Sequence, residues 1–151
     1  MARRRAGVRL VRVMNVLRDG PPDAVRDVHA LLGRSLLGGG LLVEGTCSLD
    51  GAVGTAHWLR KGPVGLTREG LLLWLDGRRG LHPMAFSERL PRDLQGAAGA
   101  PVRAMLRSWS EAVDRLLPTP DRLGRAAEAV GGLRPVPVPG GAAFLWAEGA
   151  V

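Results

Sequence analysis

The chain of 151 residues is 46% hydrophobic with a mean hydropathy of +0.05, the length and apolar content of one ordinary folded domain. That balance excludes charge-driven disorder, no apolar run reaches the roughly 20 residues of a membrane-spanning helix, and the single cysteine, Cys47, excludes an internal disulfide framework or a Cys-based zinc site. The net charge of +7 is local: residues 1–18 hold six arginines and no acid, leaving 15 basic against 14 acidic groups in the remainder.

Residues 1–7 read as a basic arm, and 8–151 as a single α/β domain. Arg9, Arg12 and Asn15 interrupt what a secretory leader would need as an unbroken apolar stretch, so a cytoplasmic setting is expected. Residues 8–17 are rich in β-branched side chains and predict a strand that ends at Asp19-Gly20-Pro21-Pro22. The helix that follows carries Val25, Val28, Leu32 and Ser35/Leu36 at helical spacing, and Gly38-Gly39-Gly40 is expected to stop it. Leu41-Leu42-Val43 then predicts a strand buried on both faces. Strand, helix and strand make a parallel βαβ unit.

Beyond it, 55–60 and 70–75 predict an antiparallel hairpin joined near Thr67-Arg68-Glu69-Gly70. A short helix broken at Pro91 is expected within 83–94. Residues 101–117 predict an amphipathic helix with Val102, Met105/Leu106, Trp109, Val113 and Leu116/Leu117 on one face. A further helix starts at Thr119-Pro120 and ends at Gly131-Gly132. Pro135, Pro137 and Pro139 confine their segment to an edge strand or extended coil, and 143–147 forms the last strand.

In an open parallel sheet, ligands bind beyond the carboxyl ends of the strands. Here those ends are Asn15-Val16-Leu17-Arg18 and Glu44-Gly45-Thr46-Cys47, which place an amide, a carboxylate, a hydroxyl and a thiol at one rim. On the residues alone two readings stand: a ligand cleft, or an Asn15 that caps a turn beside a Glu44 paired with an arginine.

The strings VMNVLR (13–18), GGGLLVEGTC (38–47) and SERLPRDL (87–94) resemble a bacterial group of class I S-adenosylmethionine-dependent methyltransferase-like proteins. The resemblance runs from about Val8 to the end of the chain. It implies a partial Rossmann-like methyltransferase sheet, here a parallel βαβ unit extended by antiparallel strands and C-terminal helices. It also implies methyl transfer to an acceptor that the motifs do not name, with a small-molecule substrate or none as the partner. Asn15 and Glu44 become the candidate catalytic residues. Asn15, Leu17 and Arg18 are the candidate contacts to S-adenosylmethionine, and Thr46 and Cys47 the candidate substrate contacts, all facing one cleft. Such enzymes build the cofactor site mainly from an earlier half of the fold. No strand followed by Gly-x-Gly-x-Gly and a helix occurs here, so the chain reads as a truncated or inactive relative that begins at the fourth strand.

The competing expectation is a non-catalytic module that pairs, as a homodimer or with a companion chain, through the open sheet edge at 8–17. An arginine-arm contact to nucleic acid ranks behind both: the body is nearly neutral, and the six aromatic residues mostly fall on predicted core faces. His29, His57 and His82 share no ligand spacing, so no metal site is expected. The sequence offers no membrane contact.

Overall fold

The computed structural model describes residues 7–76 and 82–147. Of the basic arm only Gly7 falls within them. Six strands form one mixed sheet: β1 (Val8–Met14), β2 (Leu36–Cys47), β3 (Val53–Gly62), β4 (Gly65–Asp76), β5 (Leu133–Val136) and β6 (Gly141–Trp146). Their spatial order is β1-β2-β3-β4-β6-β5. Only β1 and β2 run parallel, and every other neighbouring pair is antiparallel. The helices are α1 (Ala24–Gly33), α2 (Ala100–Asp114) and α3 (Arg122–Ala127), with 3₁₀ turns at Pro83–Arg89, Arg92–Leu94 and Ala97–Gly99. The fold is α/β, and among the described residues no helix is long and apolar enough to cross a membrane.

Three expectations need correction. The triple glycine does not end α1, which already stops at Gly33; it lies inside β2. Val8 pairs with Leu36, but Leu10 already pairs with Leu41, so β2 bulges outward over 37–40. Gly39, at φ +77°, supplies the left-handed kink that lets the strand resume. Second, the hairpin turns at Gly62–Gly65 rather than near 67–70, and the 67–70 stretch lies within β4, paired with β3. Alternating side chains had marked the centre of each strand but not the polar ends that extend the ladder. Third, Leu117 is solvent-exposed, because α2 ends at Asp114, one turn before it.

Strand alternation sorts the side chains onto two faces. The first carries Leu42, Glu44 and Thr46 of β2, with Thr55, His57 and Leu59 opposite them on β3. It also carries Leu71, Leu73 and Leu75 of β4, and Phe144 and Trp146 of β6. The helices pack on this face. Val102, Met105, Leu106, Trp109 and Val113 of α2 recur at helical spacing and bury themselves against β4 and β6. Trp109 is fully buried between Phe86 and Phe144, and its indole N–H donates to the Leu123 carbonyl (3.0 Å). A smaller cluster of Leu36, Leu42 and Leu59, with Val11, Val13, Leu32 and Leu66, lies under α1. The second face carries Val43, Gly45, Cys47, Gly54, Ala56, Trp58, Leu72 and Trp74. Neither hydrophobic cluster includes any of these residues.

Candidate functional site

The two apolar clusters on the first face do not merge. Between Leu42 and Leu59 on one side and Val53 and Leu73 on the other lie four buried polar side chains, Glu44, Thr46, Thr55 and His57. A buried polar group is costly unless it is hydrogen-bonded, so this seam must be satisfied from the layer above it. Two segments supply partners to three of the four. His29 of α1 donates from Nε2 to Glu44 Oε2 at 3.0 Å, and His57 Nε2 donates to Asp93 Oδ1 at 2.7 Å. Thr55 Oγ1 donates to the Arg89 carbonyl. The rings of His29 and His57 meet edge to face, with centroids 5.5 Å apart.

The result is a contiguous array, Glu44–His29–His57–Asp93, that ties α1 and the 3₁₀ segment to neighbouring strands. Glu44 and His57 are almost wholly shielded from solvent, and Asp93 is a third exposed. Burial pushes the Asp93 carboxyl up. The hydrogen bond and charge of His57, a backbone N–H and the charge of His29 outweigh it and hold the group below its usual value. With Nε2–H committed to Asp93, His57 presents a buried Nδ1 that has no hydrogen-bond partner. Chemically, the array is a pair of imidazoles in edge-to-face contact, each oriented by a carboxylate. Among the described residues no three His, Cys, Asp or Glu side chains converge in a way that could hold a metal ion.

The residues named from sequence fall around this array. Val13 pairs with Glu44 and Met14 with Gly45, so β1 and β2 open at a shared carboxyl end. Asn15 sits just beyond β1 in the left-handed region at φ +61°, and its backbone N–H donates to the Gly45 carbonyl (2.9 Å). Its side chain turns to Cys47: the Cys47 N–H donates to Oδ1 at 2.8 Å, and Nδ2 donates to Sγ at 3.4 Å. Glu44 therefore pairs with a histidine rather than an arginine.

The expectation that Glu44, Thr46 and Cys47 face one cleft is corrected. The β2–β3 register is continuous from Leu41 to Cys47, so Glu44 and Thr46 share the helix-covered face while Cys47 points through the other. Leu17 and Arg18 lie in the turn closed by the Gly20 N–H to Leu17 carbonyl bond. Arg18 helps line a polar hollow of about 460 Å³ with Asp19, Ser87, Glu88, Arg92 and Gln95.

Sequence reasoning missed His29, His57 and Asp93. Asp93 lies inside the SERLPRDL string, whose resemblance implies no role for that residue. The same string sends Arg92 Nε to the Gly20 carbonyl (2.6 Å). All three quoted strings therefore converge on one end of the sheet. The aromatic expectation divides: Trp109, Trp146, Phe86 and Phe144 are core, but Trp58 and Trp74 are only half-buried and lie on the second face. No family model, no curated protein and no solved structure matches this chain.

Proposed function

We propose that this end of the sheet is the acceptor side of a methyl-transfer cleft of the class I S-adenosylmethionine-dependent methyltransferase-like kind. The observation that carries the reading is the convergence of VMNVLR, EGTC and SERLPRDL near the carboxyl outlet of the parallel β1–β2 pair, through Asn15–Cys47 and through the hollow that Arg18 lines with Ser87, Glu88 and Arg92.

The fit to the cofactor is partial. In the hollow beside Gly20, Arg18 and Arg92 match a carboxylate and Asp19 and Glu88 an ammonium, which suits the amino-acid end of S-adenosylmethionine. None of the residues lining that hollow offers an apolar slot for an adenine ring, so the hollow by itself suits only the amino-acid end. The adenosine side would have to come from whatever pairs with β1. What this chain contributes is positioning: Glu44 and Asp93 orient the two imidazoles, and Asn15 locks the outlet of β1 to β2. Calorimetric titration with S-adenosylmethionine tests the reading. Saturable heat that Arg18→Ala removes supports it; no heat at millimolar cofactor sinks it.

One observation favours a second reading, a pairing module without catalysis. Among the described residues β1 is an edge strand, and Val8 and Leu10 on it are 46% and 58% exposed. Unpaired strand edges of this kind recruit other strands. Concentration-dependent association without cofactor heat would select it.

A further inference from the structure

The backbone of β1 shows which of its groups stand open. The Asn15 N–H donates to the Gly45 carbonyl, and Val11 and Val13 sit opposite Leu42 and Glu44 of β2. A strand turns the backbone groups of successive residues to opposite sides, so Val11, Val13 and Asn15 direct theirs to β2. Leu10, Arg12 and Met14 turn their N–H and C=O groups the other way, where no strand of the described residues stands. Each of them offers a donor and an acceptor to an added strand.

The side chains of β1 decide what kind of strand that is. Its two arginines, Arg9 and Arg12, are three positions apart and therefore point to opposite faces of the sheet. Arg12 lies opposite Val43 on the second face, while Arg9 shares the first face with Val11 and Val13, which pack under α1. Both arginines are exposed, and among the described residues neither meets an acidic side chain in an ion pair. Residues 1–18 contain no acid that could neutralise them from nearby in the chain. Charges on an edge strand oppose the pairing of like strands. A second copy joined β1 to β1 would bring two more arginines and no acid to the same junction. An acidic strand turns that repulsion into attraction.

We infer that the free edge of β1 takes an extended acidic peptide whose carboxylates recur at every third residue, with β-branched residues between them. That spacing puts one carboxylate on each face, opposite Arg9 and Arg12, whichever way the added strand runs. It also sets branched side chains against Leu10, Val11, Val13 and Met14. The inference rests on the reading of β1 as a pairing edge and adds the chemistry of the partner; it does not involve the methyl-transfer cleft.

The test is amide hydrogen exchange on the whole chain, read residue by residue by NMR, with two capped peptides of equal length as probes. One is a repeat of Glu-Val-Thr, the other the same repeat with Lys in place of Glu. The acidic peptide should slow exchange at Leu10, Arg12 and Met14 about tenfold or more at saturation, while β5 at the other edge keeps its rates. It should bind roughly fivefold or more tightly than the lysine peptide. Arg9→Glu combined with Arg12→Glu should reverse that order, and both positions are exposed, so the core is left intact. Equal protection by the two peptides would keep β1 as a pairing edge and overturn its acidic preference, as would an order that survives the double substitution. No protection by either peptide would overturn the preference and the pairing edge together.

Discussion

Asn15 shows how one side chain joins two strands. At φ +61° it occupies backbone space that asparagine tolerates better than most residues, and there its amide reaches Cys47. Asn15→Ala keeps the strained backbone and loses both bonds to Cys47, so it should cost about 1–2 kcal/mol in denaturant unfolding. Asn15→Gly relaxes the backbone and should cost less, an ordering that an ordinary turn position would not show. Asp93 sets a pH dependence. Its folded carboxyl lies below the ordinary 3.8, so its contribution is present above that value and is lost as pH falls through the lower folded value. Asp93→Asn should be less stable than the parent by about 1 kcal/mol at pH 7, given its partial exposure. Thermal melts should show that gap closing as the pH is taken from 4 towards 2; a gap constant over the whole range would mean that His57 does not bind the ionised form.

At the scale of elements, α2 was legible because Val102, Met105, Leu106, Trp109 and Val113 recur every three or four residues, and each of these five is buried. Trp109 is its anchor, stacked on Phe86 at 5.9 Å and edge-on to Phe144 at 4.7 Å. Trp109→Ala should lower unfolding stability by about 3–5 kcal/mol, measured as a fall in the denaturant midpoint with an unchanged slope. The two 3₁₀ turns over 83–94 bury Phe86, Leu90 and Leu94 in the main core, a spacing that reads locally as helix. Polar partners elsewhere add to that anchoring: Thr55 to the Arg89 carbonyl, His57 to Asp93, and Arg92 to Gly20. The triple glycine reads locally as a helix stop. It became a bulge because β1 and β2 can pair above and below it only if 37–40 loop out.

At the scale of the molecule, the sheet has two unlike edges. β5 is blunted by Pro135, which cannot donate to a ladder, whereas β1 has no proline along its length. Association through this chain should therefore use β1. Light scattering over a range of concentrations should show a self-associating species or a companion complex that Leu10→Lys weakens, since a lysine on an edge strand opposes pairing. A monomer at every concentration, with or without that substitution, would remove the edge from consideration. The two faces also differ. One is filled by helices around a polar seam, and the other leaves Trp58 and Trp74 half-open.

What the residues determined alone were features decided within a few positions of each other: the β1–α1–β2 unit, the amphipathic α2, the break at Pro91 and the edge placement of the proline-bearing strand. Backbone preference and the period of apolar residues act over that range, so they can be read from the string. Tertiary structure decided the rest. His57 finds Asp93 across 36 residues and Asn15 finds Cys47 across 32, and nothing in either local segment encodes the partner. Strand register, not composition, sent Glu44 and Cys47 to opposite faces, because a pleated strand alternates its side chains whatever chemistry they carry.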